Sequence, residues 1–489
     1  MRPVDRLTIS SQVKISDAIV ALNNSDSLIL LIVEDGGKLK RTVTDGDLRR
    51  LIIDTGSLDA SIQNLPDIVS IVASASTPTA EISKLMYTHG ITHVPVIDDF
   101  GCPIGIYLKE DVDNKILLSA PHMGGEEQVF VKQAFDTNWI APLGPNVDAF
   151  EREISNLIGG SHVAAVNTGT AAIHLALILL GVSRDDFVFC QSFTFVASAN
   201  PILYLNAVPV FIDSEPETWN MCPRALEKAL KQFKKNNLMP KAVIVAHLYG
   251  QSSDMDAILK ICDDFKVPVV EDAAESMGAM YKGKHTGTLG KFGIFSFNGN
   301  KIITTSGGGA LISEDESLIK KARFLSTQAK DTAPHYEHTE IGYNYRMSNI
   351  LAGVGRGQLK VLISRVKSRR KVFEFYKDNL SKIEAIEWMP EAANSYSNRW
   401  LSVFVLNPHK SKIKAKELIE ALSNLNIEAR HVWKPMHNQP LFRGSEYFSC
   451  AQESYCDYLF ENGVCLPSSS NITLAQQETV IKAIVGILT

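Results

Sequence analysis

The feature that most constrains this chain is a regular alternation of helix-like and strand-like segments in its middle. Helix-like residues 149–159 and 171–181 flank the apolar run HVAAV, and the apolar runs FVFC, VPVFID and KAVIVAHLYG follow. Such alternation is typical of an α/β fold whose mostly parallel sheet is covered by helices on both faces. Ligands bind such sheets at the carboxyl ends of the strands. We therefore expect the functional residues in the loops that follow these strands.

The length of the chain predicts more than one domain. Its 489 residues exceed what a single ordinary hydrophobic core supports. A short linker near residues 119–125 precedes the alternating region, and beyond about residue 366 the strand-like segments become less apolar and less continuous. We predict an N-terminal part at 1–118, a large domain at 119–365 and a small α+β subdomain at 366–489.

Charge and cysteine content exclude several classes of function. The net charge is -5 and the sequence has no dense Lys/Arg run, which argues against nucleic-acid binding. No apolar stretch reaches the roughly 18 residues that a membrane span needs. The seven cysteines contain no Cys-x-x-Cys pair, so we expect free thiols in a reducing cytoplasm and no metal site.

Two N-terminal segments, 27–50 and 89–112, look like copies of one unit. Each contains a strand, a turn, a second strand and a charged helix start, and their alignment places Asp47 opposite Asp111. This pattern indicates an internal duplication.

The duplicated segments resemble a pair of cystathionine-β-synthase (CBS) domains, an α+β module that commonly binds adenine nucleotides between its halves. Thr44-Asp45-Gly46-Asp47 matches the Thr/Ser-x-x-Asp signature of that family, whereas Leu108 replaces the hydroxyl residue in the second copy. The resemblance implies an adenine nucleotide near Thr44, Asp47 and Asp111. An alternative stays open, in which Thr44 and Asp47 only cap the helix that follows.

Further motifs of the alternating region lie where strands end. Asn-Thr-Gly-Thr-Ala-Ala at 167–172 opens a helix, where small residues and the helix N-terminus favour a bound phosphate. Ser-Phe-Thr-Phe at 192–195 could place a side chain over a planar ring. Read alone, the first motif is more often a plain helix cap and the second more often part of the core.

An aspartate and a lysine complete the candidate functional residues of the alternating region. Asp272 ends the apolar run VPVVED, and a carboxylate there would hold a pyridinium N–H in its charged form. Lys301 lies between the run FSFNGN and a glycine-rich turn, so partial desolvation would favour the neutral amine that forms Schiff bases. Read alone, Asp272 is more often a helix cap and Lys301 more often a solvated surface residue.

In this order, Asn-Thr-Gly-Thr-Ala-Ala, Ser-Phe-Thr-Phe, Glu-Asp-Ala-Ala and Phe-Ser-Phe-x-x-x-Lys resemble the DegT/StrS-type nucleotide-sugar aminotransferases. The resemblance extends over residues 121–489. It implies the aspartate aminotransferase fold, with a mostly parallel seven-stranded-type sheet and a small α+β C-terminal subdomain. It also implies pyridoxal 5'-phosphate as cofactor, with pyridoxamine phosphate as the form that carries the amino group.

The resemblance assigns roles to individual residues. Lys301 would be the catalytic residue, which binds the cofactor covalently and moves a proton. Glu275 stands where relatives usually carry Gln or His, so its contact with the ring hydroxyl is open. Asn344, within Gly-Tyr-Asn-Tyr-Arg, would reach the phosphate of a neighbouring subunit, which implies at least a homodimer. The cofactor-binding residues would be Gly169, Thr170, Phe195, Asp272, Glu275, Ser296 and Asn344.

The implied reaction moves the amino group of glutamate to a nucleotide-linked keto sugar. Residues 137–145 and 433–437 resemble those of enzymes that make 4-amino-4,6-dideoxy-N-acetyl sugars for surface glycans. A UDP-linked 4-keto-6-deoxy-N-acetylglucosamine is therefore the expected acceptor, while a GDP-linked or 3-keto sugar stays open. The candidate substrate contacts are Trp139, Tyr345, Arg346 and His437.

The sequence leaves open two alternatives to an aminotransferase. A sugar dehydratase of the same fold would use the cofactor without a Schiff-base lysine and typically carries His in that place, where this chain has Lys301. Alternatively, the chain is an adenine-nucleotide sensor whose larger part is a catalytically idle scaffold.

Overall fold

The computed structural model describes residues 1–25, 27–34, 36–112 and 115–489. The chain divides into two compact units, an N-terminal unit at Met1–Lys115 and a C-terminal unit at Ile116–Thr489. The predicted boundary at residue 118 differs from this division because Ile116 already forms a parallel bridge with Ile427 of the C-terminal unit. In the part of the chain that the structure describes, no helix combines the length and apolar character that crossing a membrane requires.

The N-terminal unit contains two copies of one small α/β arrangement. Its strands are β1 (Thr8–Ser10), β2 (Ile29–Val33), β3 (Leu39–Thr44), β4 (Ala73–Ser74), β5 (His93–Ile97) and β6 (Pro103–Leu108). Its helices are α1 (Ile15–Asn23), α2 (Asp45–Thr55), α3 (Thr79–His89) and α4 (Lys109–Val112). The sheets have the orders β1-β2-β3 and β4-β5-β6.

The two sheets confirm the duplication. In each sheet the first strand pair is parallel and the second is antiparallel. Each antiparallel pair has a register shift, at Ile32/Val33 in one and Val96/Ile97 in the other. These positions correspond in the alignment that places Asp47 opposite Asp111, so even a local irregularity of the strands is repeated.

The C-terminal unit contains most of the regular structure. Its strands are β7 (His162–Val166), β8 (Phe187–Gln191), β9 (Val208–Ile212), β10 (Ala242–Ala246), β11 (Val269–Asp272), β12 (Met280–Tyr281), β13 (Lys284–His285), β14 (Phe292–Ser296), β15 (Gly309–Ser313), β16 (Ile386–Trp388), β17 (Ser395–Tyr396), β18 (Ser402–Leu406), β19 (Arg430–His431), β20 (Tyr447–Phe448) and β21 (Gly463–Leu466). Its helices are α5 (Glu127–Asp136), α6 (Pro145–Leu157), α7 (Gly169–Leu179), α8 (Asn200–Tyr204), α9 (Pro223–Lys235), α10 (Met255–Phe265), α11 (Glu316–Ser326), α12 (Asn349–Asn379), α13 (Ala415–Asn424), α14 (Tyr455–Asn462) and α15 (Leu474–Leu488).

An eight-stranded sheet of order β20-β9-β8-β10-β11-β14-β15-β7 forms the centre of this unit. The first six strands in this order, from β20 to β14, are parallel to one another, and β15 is antiparallel to both β14 and β7. The prediction of a mostly parallel sheet is confirmed. Seven strands come from the predicted large domain, and β20 adds an eighth from the C-terminal region. The central strands are buried on both faces, as their uninterrupted apolar sequences require.

A second, four-stranded sheet of order β16-β18-β21-β19 lies in the C-terminal region. Its strand pairs are antiparallel, and α13 and α15 contribute to its hydrophobic core. The predicted boundary at residue 366 falls inside α12, a helix of 31 residues. One continuous helix therefore belongs to both predicted parts.

Candidate active site

A cavity of about 440 Å³ opens at the carboxyl ends of β7, β8, β10, β11 and β14. Strands that point in the same direction bring their carboxyl ends to one edge of a sheet, which is where ligands bind in such folds. The predicted site residues in its wall are Gly169, Thr170, Phe195, Asp272, Glu275, Ser296 and Lys301. The structure thus brings together residues that are far apart in the sequence.

Lys301 lies in the wall of this cavity and is largely buried. Its Nζ atom is 3.6 Å from Glu275 Oε1. The same atom lies over the ring of Trp400, at 4.4 Å from the ring centroid, a cation–π geometry. The amine is therefore held between a carboxylate and an aromatic face and still borders the cavity.

Asp272 ends β11 with both carboxylate oxygens hydrogen-bonded. Ser198 Oγ donates to Oδ2 at 2.6 Å, and the Ala274 N–H donates to Oδ1 at 3.1 Å. These bonds fix the orientation of a buried carboxylate that lines the cavity. A carboxylate so placed suits a protonated heterocyclic nitrogen, because an opposite charge nearby favours the charged form of its partner.

The start of α7 forms a cradle of small residues. Thr168 caps the helix by accepting a hydrogen bond from the Ala171 N–H at 3.0 Å, and the two residues before Ala171 in the first turn, Gly169 and Thr170, line the cavity. A Cβ atom on Gly169 would lie 3.1 Å from Ser296 Cβ, and one on Gly309 would lie 2.5 Å from the Gly169 nitrogen. Glycine is required at 309, where an added Cβ would meet backbone, and a side chain at 169 would require Ser296 to shift. The cradle suits a phosphate group.

Two aromatic side chains, Phe195 and Trp433, line the cavity, and further aromatic rings extend a stack from Trp433. The side chain of Phe195 is half-exposed, and its ring centroid is 5.1 Å from that of Trp433. Tyr249 stacks between Trp433 and Trp400, with interplanar angles of 11° and 10°. A planar ligand ring would find an aromatic face here.

Glu275 is a buried carboxylate whose hydrogen bonds link these groups. Oε2 accepts from the Tyr249 N–H at 2.8 Å, and Oε1 accepts from Trp433 Nε1 at 3.2 Å. Burial raises the pKa of Glu275, and the nearby Lys301 ammonium partly opposes that rise. The bonds give Glu275 a fixed position beside the reactive amine.

The other predicted residues do not line this cavity in a single chain. Arg346 forms an ion pair with Glu151, in a separate polar cleft. His437 Nδ1 hydrogen-bonds Ser192 Oγ at 2.6 Å, and its ring stacks on Tyr447. The remaining members of this group are Trp139, which is 43% exposed, Tyr345, whose hydroxyl bonds His174, and Asn344, which is exposed. Their roles stay predictions.

His247 and Arg430 are charged or titratable cavity residues that were not predicted from the sequence. The Ser253 N–H donates to His247 Nδ1, so Nε2 carries the proton and donates to Glu271 at 2.9 Å. His247 directly follows β10, just as Asp272 ends the neighbouring β11, and this position was a usable signal. Arg430 comes from β19, far along the chain, and no local pattern marks it.

The predicted nucleotide residues of the N-terminal unit bond within that unit. Thr44 Oγ1 donates to Asp47 Oδ2 at 2.7 Å, and the Thr44 N–H donates to the same oxygen at 2.9 Å. Asp111 Oδ2 accepts from the Leu108 N–H at 3.0 Å, and Arg2 also bonds this carboxylate. These are the bonds expected of residues that cap the helices after β3 and β6.

Comparisons with known proteins agree with this geometry. The model of the DegT/DnrJ/EryC1/StrS aminotransferase family matches residues 121–485, and the model of the CBS domain matches residues 65–117, the second copy of the duplicated unit. EpsN of Bacillus subtilis, named as a pyridoxal phosphate-dependent aminotransferase, is 57% identical over 371 residues, which are 76% of this chain and 95% of EpsN.

More distant relatives cover the same part of the chain. A GDP-perosamine synthase of Caulobacter vibrioides is 34% identical over 375 residues, which are 76% of this chain and 98% of the synthase. The crystal structure of a DegT DnrJ EryC1 StrS aminotransferase from Brucella abortus superposes with a TM-score of 0.69 at 25% identity. That match covers 74% of this chain and 95% of the Brucella chain.

Proposed function

Because the chain belongs to the DegT/DnrJ/EryC1/StrS aminotransferase family, we propose that it transfers the amino group of glutamate to a nucleotide-linked keto sugar. It is a pyridoxal-phosphate-dependent sugar aminotransferase with a CBS domain near its N-terminus. One observation carries the proposal, namely that Lys301 and Asp272 border the same cavity as the cradle of small residues at the start of α7.

The residues present fit the cofactor. Asp272 would hold the ring nitrogen, Phe195 would cover one ring face, and the N–H groups of Gly169 and Thr170 would hold the phosphate together with Ser296. When bound, pyridoxal phosphate supplies an electron sink for the bonds of a substrate carbon. Each of these three proposed contacts is supported by a feature of this chain. The buried carboxylate is hydrogen-bonded, the aromatic ring is half-exposed, and glycines form the cradle.

Lys301 has the surroundings that proton transfer needs. Its Nζ atom is largely screened from solvent and lies 3.6 Å from a carboxylate oxygen of Glu275. We propose that this amine binds the cofactor and then moves a proton at the substrate carbon, with Glu275 and Trp400 fixing its position. A His in this place would suit the dehydratase alternative, and the chain has Lys301.

The acceptor that we propose is UDP-linked 4-keto-6-deoxy-N-acetylglucosamine. Support comes from the likeness of residues 137–145 and 433–437 to enzymes that form 4-amino-4,6-dideoxy-N-acetyl sugars. Arg430 adds a cation to the cavity wall, and its Nη2 atom is 2.6 Å from Glu428 Oε1. This guanidinium would attract an anionic group of a substrate. A GDP-linked sugar is the second candidate, because relatives that are 34% and 33% identical are named GDP-perosamine synthases.

We also propose that the enzyme is a cytoplasmic homodimer. All seven cysteines are free, which agrees with a reducing compartment. Asn344 is exposed, and its backbone oxygen accepts from Asn167 Nδ2 at 3.1 Å, next to the cradle. An exposed position beside the cradle would let Asn344 serve the partner subunit.

The experiment combines absorbance with a substrate panel. Purified protein is expected to show the visible band of bound pyridoxal phosphate and to form amino sugar from glutamate and a UDP-keto sugar, identified by NMR. Lys301→Ala should abolish both signals, and Lys382→Ala, which changes an exposed lysine, should keep both. A colourless wild-type protein that still binds adenine nucleotide would favour the sensor alternative, and turnover with GDP-keto sugars alone would replace the UDP assignment.

For the N-terminal unit we propose adenine-nucleotide binding that regulates the enzyme. The duplicated fold and the CBS match to residues 65–117 support this proposal. Thr44→Ala should weaken nucleotide binding if this residue contacts the ligand. Titration calorimetry with ATP, ADP and AMP, together with kinetics and size-exclusion chromatography, tests the idea, and unchanged heat, rate and assembly would remove it.

A further inference from the structure

The segment at residues 116–120, here called the connecting segment, is bound along its length to the C-terminal unit. The Ile116 N–H donates to Asn426 O, and the Glu428 N–H donates to Ile116 O, both at 2.9 Å. The Leu118 N–H donates to Glu428 Oε2 at 3.1 Å, and the Ser468 N–H donates to Leu118 O at 2.8 Å. The segment is therefore hydrogen-bonded into the fold of the C-terminal unit.

Ser119 of this segment bonds the peptide that precedes the reactive lysine. Its hydroxyl donates to Asn300 O at 2.7 Å, and Trp400 Nε1 donates to the same oxygen at 2.8 Å. This carbonyl thus accepts two hydrogen bonds, from two distant parts of the chain.

A buried arginine holds both donors in place. Arg369 Nη2 donates to Ser119 Oγ at 3.0 Å, and Nη1 donates to Trp400 O. Arg369 is only 1% exposed, and burial lowers the pKa of its guanidinium to about 9. Since a buried guanidinium is costly to leave unpaired, its bonds to Ser119 and Trp400 favour one arrangement of the two donors.

The same groups determine where the lysine amine lies. Trp400 donates its indole N–H to Asn300 O, and its ring face lies under Lys301 Nζ. Residues 298–301 form a turn that is closed by the Lys301 N–H, which donates to Asn298 O at 3.0 Å. Fixing the Asn300 carbonyl therefore fixes the backbone from which the Lys301 side chain extends.

From these contacts we infer that Ser119 is a positioning residue for Lys301, acting through the Asn300 carbonyl. The inference rests on the proposed role of Lys301. Ser119 touches neither the amine nor the residues that would hold the cofactor, so its loss should change how precisely Lys301 is placed and not which substrates bind. Placement affects the rate of chemistry more than affinity, because small displacements of reacting groups raise the barrier.

The test uses the full chain and three substitutions. Ser119→Ala removes the hydroxyl, Ser119→Thr keeps it, and Ser469→Ala is the matched control. Ser469 Oγ accepts from the Ala120 N–H at 2.7 Å and so holds the same segment without bonding Asn300. The first readout is hydrogen–deuterium exchange of residues 296–303 in cofactor-free protein, and the second is the separation of kcat from KM in the loaded enzyme.

Ser119→Ala, which removes the bond to Asn300 O and the bond from Arg369, is expected to speed exchange in residues 296–303 and to lower kcat about fivefold, with both KM values nearly unchanged. Ser119→Thr should restore both readouts, and Ser469→Ala should match wild type. Wild-type exchange in Ser119→Ala, or an equal effect of Ser469→Ala, would overturn the inference. Because exchange is measured without cofactor, an inactive protein with the expected exchange pattern would contradict the proposed function and leave this inference standing.

Discussion

At the residue scale, two opposing effects set the charge of Glu275. Burial raises its pKa, and the Lys301 ammonium, 3.6 Å away, favours the ionised form. The net result is a raised pKa, so the folded protein binds the proton of this carboxyl more tightly than the unfolded chain does. The stabilisation that this provides is complete below the pKa of the unfolded carboxyl and is lost as pH rises through the folded value.

Glu275→Gln should therefore change the pH dependence of stability in cofactor-free protein. The variant loses one acceptor oxygen, so its Tm should lie below that of wild type at acid pH. As pH rises, wild type loses stability by ionising Glu275 and the variant does not, so the Tm deficit should shrink. Thermal unfolding from acid to neutral pH measures this, with exposed Glu384→Gln as control. A Tm difference that is constant with pH would contradict the prediction.

At the scale of elements, the periodicity and length of the apolar segments predicted the large sheet. Two elements could not be predicted in this way, namely strand β20 and the start of helix α12. Strand β20 is only two residues long, so it has no periodicity to detect, and it exists because Phe211 and Ile212 offer an unpaired edge. The first turns of α12 contain glycines, which disfavour helices. The start of this helix could therefore not be predicted from the sequence. The glycines are required by packing, since a Cβ atom on Gly355 would lie 2.6 Å from Phe150 Cζ.

That packing gives a prediction for α12. Gly355→Ala improves intrinsic helix propensity but forces a methyl group against Phe150, so we expect a net loss of about 1–3 kcal/mol of stability. Gly486→Ala in α15 is the matched change, because nothing lies within 4 Å of its added Cβ atom. That variant should be neutral or slightly more stable. Chemical denaturation of both variants measures the difference, and equal stabilities would contradict the packing argument.

At the scale of the whole molecule, the sequence predicted the part of the site that depends on strand ends. Gly169, Asp272 and Lys301 were found because parallel strands bring their following loops to one edge of the sheet. Trp400 and Arg430 were not found, since their places depend on how the C-terminal region folds back over that edge. Contacts set by such long-range packing leave no local pattern in the sequence.

The proposed sharing of sites between subunits can be tested with hybrid dimers. Lys301→Ala and Asn344→Ala chains carry different tags, are expressed together and are purified through both tags. If Asn344 serves the cavity of the partner subunit, each hybrid has one cavity with both residues intact, so activity should rise to about half that of wild type. If Asn344 serves its own chain, every cavity lacks one residue, and activity should not exceed that of the Asn344→Ala homodimer. A hybrid of wild type with Lys301→Ala calibrates the value for one intact site per dimer, and a monomeric protein in size-exclusion chromatography would contradict the proposal directly.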